Sequence, residues 1–380
     1  MNNIKFEDVF SYYTLKDSFS QCKINTNWKD SVILFDAFSD YKIREILDKL
    51  YDNTFFFDPL FHTKIYERGK ERLICSLSIK DRIVQKCLNQ NYILPMFRPK
   101  LIYDNCASLK GKGVDFALRR LKAHLQKAYN LYGNNFYIAK LDIKSYFDSI
   151  PHNYIFNIFE RHTSDYRLLD MIAKILYQYQ IDSWIHNGEN VPFGIGLGGE
   201  VPQSMGILCL DELDHMFKEY YQIPYMVRYM DDIILIHQDY NYLSSVIYGA
   251  SNYLNSLNMR FNENKTTILH SSQGVLFLKF HFYLGENNRE IYIKPYKKSI
   301  KREKRKLNKM SELYRNGEIE SWKDVLQSYY SYRGHINRGN SYNEVNILDQ
   351  LIENLTPDQH DFEDIMIRRI EKNFSKESTL

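Results

Sequence analysis

Residues 225–236 read Tyr-Met-Val-Arg-Tyr-Met-Asp-Asp-Ile-Ile-Leu-Ile, so two adjacent carboxylates, Asp231 and Asp232, separate two apolar runs with the make-up of strands. Asp is depleted in strand interiors, which places the pair at the tip of a β-hairpin. A turn alone accepts Asp there. Hard divalent cations supply a second reason, because Mg²⁺ takes oxygen ligands, commonly one or two carboxylates together with substrate phosphates. Upstream, the run Tyr137 to Leu141 reads as a buried strand with Asp142 at its end. Alone, Asp142 reads as a strand-end cap. Facing the hairpin across a sheet, it completes a set of carboxylates suited to two cations and to phosphoryl transfer.

Further segments surround these. In chain order they are Gly69-Lys70-Glu71-Arg72-Leu73-Ile74, Lys80-Asp81-Arg82-Ile83-Val84-Gln85, Asp104-Asn105-Cys106-Ala107-Ser108 and Gly111-Lys112-Gly113. After the Asp142 strand come Gly194-Ile-Gly-Leu-Gly198-Gly199-Glu-Val-Pro202-Gln203, Tyr229 to Asp232, Leu257 to Thr266, and Phe277-Leu278-Lys279-Phe280. This succession resembles bacterial reverse transcriptases of the non-LTR-like kind, over roughly residues 60 to 340.

The resemblance implies an α+β, right-hand polymerase fold. An N-terminal extension would span 1–60, fingers 61–136, and a palm of antiparallel sheet backed by helices 137–288, with fingers elements between 151 and 190. A helical thumb would span 289–350 and a C-terminal tail 351–380. It also implies RNA-directed DNA synthesis, in which a 3′-hydroxyl attacks the α-phosphate of a nucleotide. Asp142, Asp231, Asp232 and the Ile143 carbonyl would hold two Mg²⁺, with Mn²⁺ as a substitute, and Lys265 would protonate the leaving pyrophosphate. Lys70 and Arg72, on one face of a strand by their spacing, match the residues that clamp the triphosphate. Phe147, five residues past Asp142, matches the steric gate that excludes a 2′-hydroxyl, and Gln203 would lie near the template–nucleotide pair. Partners are then an RNA template, dNTPs and a DNA product, with an accessory protein or a second copy of the chain left open.

Departures from the family pattern narrow the subgroup. Many group II intron enzymes have Ala where Met230 stands and end the glycine-rich motif in Ser-Pro; here it ends in Pro202-Gln203. That ending resembles defence-associated reverse transcriptases of the unknown-group and abortive-infection kinds, and diversity-generating retroelement enzymes next. The first resemblance implies antiphage defence with a dedicated non-coding RNA as template; the second implies a basic accessory partner and a template repeat. Template-independent or protein-primed synthesis by the same site, and a non-catalytic RNA-binding scaffold, are the remaining alternatives. Lys279 stands where the family usually has Gly in its primer-grip turn, and the Val-Thr-Gly signature of a retron thumb is absent.

The formal net charge is only +3, so the chain is no general polycation. Basic residues crowd 294–309 instead, and Lys298, Lys301, Arg302 and Arg305 within that run would follow a phosphate backbone from a thumb helix. The aromatic content of 15% is shared between core and surface for stacking on unpaired bases. The five cysteines are scattered with no Cys-x-x-Cys pair, which points away from zinc or disulfides and towards a reducing compartment. With no signal-peptide layout and no membrane-length apolar run, a cytoplasmic location is expected. At 380 residues the expectation is fingers, palm and thumb with short extensions and no RNase H domain, closing in a short helix and a frayed end after Pro357.

Overall fold

The apolar runs flanking Asp231-Asp232 form antiparallel strands, Tyr225–Tyr229 and Asp232–His237, with Tyr229 opposite Asp232. Only Met230 and Asp231 remain to turn the chain. The structure, a computed structural model, describes residues 4–67, 70–186, 189–196, 198–285 and 290–358. At 66, 67, 70, 72, 73, 183–186, 189 and 190 only the backbone is described.

The Asp232–His237 strand lies beside Tyr137–Asp142, which in turn lies beside Thr267–His270 in a four-stranded sheet. Met226, Val227 and Arg228 on one strand and Ile233 to Ile236 on the next are all buried, so these strands are covered on both faces. That is why they read as continuous apolar runs and not as alternation. The helix Tyr240–Ser256 packs on the Asp232–His237 strand through Leu243, Val246, Ala250 and Leu254, one helical stripe. Its start is capped by Asp239, whose carboxylate accepts from the Asn241 and Tyr242 amides. Helices and antiparallel sheets together give the expected α+β class.

The chain divides into two compact units, Met1–Ala117 with Ala139–Ile268, and Leu118–Ile138 with Leu269–Leu380. In the first, the helices Tyr12–Lys23 and Ile79–Leu88 pack together, and the strands Phe61–Glu67 and Lys70–Ser76 form a hairpin. The glycine-rich segment leads into the helix Glu200–Cys209. Gly198 (φ +150°) lies so close to the hairpin that a Cβ there would overlap the Cys75 carbonyl.

In the second unit, the strands Val275–Phe277, Phe280–Leu284 and Ile291–Pro295 form a sheet. The helices Lys297–Arg315, Trp322–Ile336 and Tyr342–Leu355 bury a shared core that includes Leu307, Trp322, Val325 and Leu348. Arg333 donates to both oxygens of Asp349, at 2.9 and 2.9 Å, and locks two of these helices together. Among the described residues no helix is long and apolar enough to cross a membrane. All five cysteines are free and buried. The segment expected to end in a helix after Pro357 lies, beyond Asp358, outside the described residues.

The departure at Lys279 has a structural answer. Phe277 pairs with Phe280, and the two residues between them, Leu278 (φ 47°) and Lys279 (φ 70°), are both left-handed. That is a type I′ hairpin turn, in which Lys279 adopts the conformation that Gly adopts without strain. Lys279→Gly is therefore expected to stabilise the protein by about 1 kcal/mol, read as a rise in urea midpoint at unchanged slope.

Candidate active site

Strand order brings the Asp142 strand directly beside the strand that begins at Asp232. Asp142 is held from the far side by Asn262, whose backbone N–H donates to the Asp142 carbonyl at 2.7 Å and whose amide donates to Oδ1 at 3.2 Å. Lys265 sits a few residues on, in the turn after Asn262, and its ammonium donates to both Asp142 carboxylate oxygens at 2.8 Å. Lys144 N–H donates to the Arg260 carbonyl, so Ile143 and Phe261 face each other as a non-hydrogen-bonded pair. In such a pair the amide and carbonyl of Ile143 point away from Phe261, which leaves that carbonyl outside the bridge.

Asp232 is electrostatically exposed to its neighbours in a different way. Its Oδ1 is enclosed and accepts no hydrogen bond. The Lys140 ammonium lies 3.8 Å from that oxygen, on the strand that carries Asp142. Burial pushes the Asp232 carboxyl up to about 7; Lys140 and Lys265 pull it down, while Asp231 and Asp142 push it further up. Among the described residues no group of three or more His, Cys, Asp and Glu side chains is drawn close enough to hold a metal ion. Lys265 pairs with Asp142 at 2.8 Å and offsets its charge. The donor set still suits a hard divalent cation: it is all oxygen, and one enclosed carboxylate oxygen lacks a partner.

The hairpin turn itself is strained and braced. Met230 has φ 56°, the left-handed first turn position of a type II′ hairpin, which favours Gly. The Arg228 guanidinium beneath it is fully buried and donates from Nη1 to the Met230 carbonyl at 3.3 Å. The same guanidinium reaches Asp214, also fully buried, with Nε–Oδ1 at 2.7 Å and Nη2–Oδ2 at 2.6 Å, and the Ile207 carbonyl at 3.0 Å. Its backbone pairs with the Asp104-Asn105-Cys106 segment, through Arg228 N–H to Asp104 O and Cys106 N–H to Arg228 O.

The remaining expected residues fall in several places. Phe147 lies in the short helix Tyr146–Ser149, its ring against the ring of Tyr146 at 5.3 Å between centroids. Gln203 is exposed in the first turn of the Glu200–Cys209 helix, where its Oε1 accepts from the Ser108 hydroxyl at 2.9 Å. Lys298, Lys301, Arg302 and Arg305 are exposed on the Lys297–Arg315 helix, away from its buried stripe of Ile300, Glu303, Leu307 and Ser311. The side chains of Lys70 and Arg72 lie outside the described residues. Sequence reasoning did not single out Arg228, Asp214 or Lys140. The available signal was a charged residue inside an apolar strand run, which demands a buried partner.

Two outcomes follow. Asp214→Asn leaves the Arg228 charge enclosed without its counter-ion and is expected to cost about 3–5 kcal/mol in a denaturant titration. For Asp232, the folded pKa of about 7 lies above the ordinary 3.8, so the folded state binds the extra proton between them. Stability contributed by this group is then greatest below about 4 and falls as pH rises towards 7. A divalent cation must displace that proton, so the Mg²⁺-induced rise in Tm should grow from pH 6 to pH 8, with apparent affinity climbing about tenfold per pH unit below 7. Asp232→Asn should remove that pH dependence.

Residues 62–282 match the family described as reverse transcriptase (RNA-dependent DNA polymerase). The chain is 24% identical over 306 residues to the putative COX1/OXI3 intron 2 protein of Saccharomyces cerevisiae, covering 65% of this chain and 35% of that protein. It is 22% identical over 259 residues to protein YkfC of Escherichia coli K12, covering 58% and 66% respectively. The chain therefore spans about a third of the yeast relative and just under two thirds of the bacterial one. Among solved structures, it is similar to an apo telomerase from Candida tropicalis truncated from its C-terminal domain, at TM-score 0.46 and 14% identity, over 62% of this chain and 55% of that one. With the family match running from the strand Phe61–Glu67 past the carboxylate hairpin and covering more than half of its length, the chain belongs to the reverse transcriptase family.

Proposed function

We propose that the chain is an RNA-directed DNA polymerase whose chemistry is centred on Asp142, Asp231 and Asp232. The observation that carries this reading is the adjacency of the Asp142 and Asp232 strands inside the segment that matches the reverse transcriptase family. Asp142, Asp231, Asp232 and the Ile143 carbonyl are the groups that would hold two Mg²⁺ or Mn²⁺. Bound there, such ions supply a lowered pKa for the attacking 3′-hydroxyl and neutralise charge on the pyrophosphate. Asn262 fixes the Asp142 backbone, and the Arg228 bridge holds the Met230 carbonyl and so the Asp231-Asp232 turn. The 3′-hydroxyl would release its proton to solvent and its oxygen bond to the α-phosphorus as the oxygen bridging to the β-phosphorus leaves with pyrophosphate, to which Lys265, 51% exposed, would donate a proton.

Substrate selection is assigned to Phe147 at the sugar, Gln203 at the template–nucleotide pair, and Lys70 and Arg72 at the triphosphate. Fingers over 61–136, palm over 137–288 and thumb over 289–350 are the domain division that goes with this reading, with Lys298, Lys301, Arg302 and Arg305 tracking the duplex backbone. The biological setting proposed is antiphage defence in the cytoplasm with a dedicated non-coding RNA as template. Support for it is the Gly194 to Gln203 motif, which ends in Pro202-Gln203.

The test is purification from the native locus of the wild type and of an Asp231→Ala/Asp232→Ala variant, followed by sequencing of the bound RNA and DNA. A defined RNA in both preparations, with complementary DNA only in the wild type, is the expected result. DNA of low complexity with no matching RNA, absent from the variant, would overturn templated synthesis. DNA in both preparations would overturn the assignment of the carboxylates.

A further inference from the structure

Gly206 sits inside the helix Glu200–Cys209, three residues beyond Gln203, and its backbone is not left-handed. Nothing in its conformation calls for glycine, and helix propensity argues against it, since Ala is the better residue in a helix interior. The reason lies across the helix. A Cβ at Gly206 would stand 3.2 Å from Cε1 and 3.4 Å from Cζ of Phe147, and 3.6 Å from Cε1 of Tyr146. The missing side chain is the seat of two rings.

Those rings are not equally free to move. Tyr146 is buried, and its hydroxyl donates to the Gly206 carbonyl. Phe147 is half-buried; its carbonyl accepts from Ile195 N–H at 3.0 Å, and one flank rests edge-on against Tyr146 at 66° between ring planes. The root of Phe147 and one flank are thereby fixed, and Cε1 and Cζ at the outer end of its ring face the Gly206 backbone. A methyl group at 206 crowds the Phe147 ring by a few tenths of an ångström, and Phe147, half-buried where Tyr146 is buried, is the ring less enclosed by its surroundings.

We propose that Gly206 is a specificity-determining residue that sets the depth of the Phe147 ring and, through it, the discrimination between deoxy- and ribonucleotides, with Tyr146 as the tether that keeps ring and helix in register. This rests on the reading of Phe147 as the group facing the sugar. A methyl at 206 tilts the ring outward, into the space of the incoming sugar, so binding of both nucleotides weakens while the carboxylates that carry the chemistry stay in place. Loss of the Tyr146 hydroxyl does the opposite: the ring pair loosens and the 2′-hydroxyl is better tolerated.

The experiment uses the full chain with Mg²⁺ and a poly(rU) template annealed to oligo(dA), and measures kcat and KM for dATP and ATP. Variants are Gly206→Ala, Tyr146→Phe, Phe147→Ala and the Gly206→Ala/Phe147→Ala pair. Gly206→Ala is expected to raise KM for dATP about fivefold with kcat within about twofold, and Tyr146→Phe to lower dATP-over-ATP selectivity about threefold. In the Phe147→Ala background, Gly206→Ala should have no further effect, because the ring it displaces is gone. Unchanged kinetics in Gly206→Ala, alongside relaxed selectivity in Phe147→Ala, would overturn the role of Gly206 and leave the gate standing. Unchanged selectivity in Phe147→Ala would overturn the gate and this inference with it. Should Gly206→Ala fail to fold, Tyr146→Phe decides: wild-type selectivity there overturns the proposal.

Discussion

The buried pair of Arg228 and Asp214 is the contact on which the carboxylate hairpin depends. Both side chains are fully removed from water, so neither is tolerable without the other, and the cost of enclosing them is offset only because every donor on one side of the guanidinium is used. Asp214 takes the bidentate face, and the Ile207 and Met230 carbonyls take the rest. A lysine would meet the charge but not this geometry, because an ammonium has no planar fork. The arrangement joins the end of one strand, a turn and two helical segments at a single point, directly below the strained Met230.

That strain has a purpose in the electrostatics above it. A two-residue turn between Tyr229 and Asp232 keeps Asp231 and Asp232 at the sheet end, where the Asp142 strand lies alongside. Three carboxylates held there repel one another, and the structure balances them with Lys265 on Asp142 and Lys140 at longer range on Asp232. Asp232 is left with an enclosed, unsatisfied oxygen and a carboxyl that holds its proton to about neutrality. A divalent cation entering there has to displace that proton, so uptake by this carboxylate weakens as pH falls below about 7.

Much of this was legible in the order of residues, and the limits are physical. Continuous apolar runs around Asp231-Asp232 and before Asp142 announced buried strands, because a sheet covered on both faces has no polar side to alternate with. The i, i+4 spacing of apolar residues from Val114 to Tyr129 marks a helix, and the helix runs Val114–Tyr132. Partners distant in sequence were not legible: nothing local ties Asp214 to Arg228, or Asn262 to Asp142, across 120 residues. The turn at Lys279 was illegible for a different reason. Residue type argued against a left-handed turn there, yet the flanking Phe277 and Phe280 pair and the sheet beyond them outweigh a local strain of about 1 kcal/mol.

The same helix that receives Arg228 also receives the Phe147 ring proposed as the sugar gate. Ile207 offers its carbonyl to the guanidinium under the hairpin, and its neighbour Gly206 offers its own to Tyr146. Neighbouring peptide groups thus tie down the two components that must agree in position: the turn that carries Asp231 and Asp232, and the ring of Phe147. Ser204, one turn earlier, donates to Asn89, and Lys86 pairs with Glu200 at the helix start, so the helix is itself anchored to the Ile79–Leu88 layer. Because Gln203 projects from its exposed side, a rigid shift of this helix moves the Gln203 amide, the Phe147 ring and the hairpin brace together. Misplacement by about 1 Å is enough to slow chemistry a hundredfold, so on the proposed reading, carrying all three on one short element would couple sugar choice, base choice and catalytic alignment without separate adjustments.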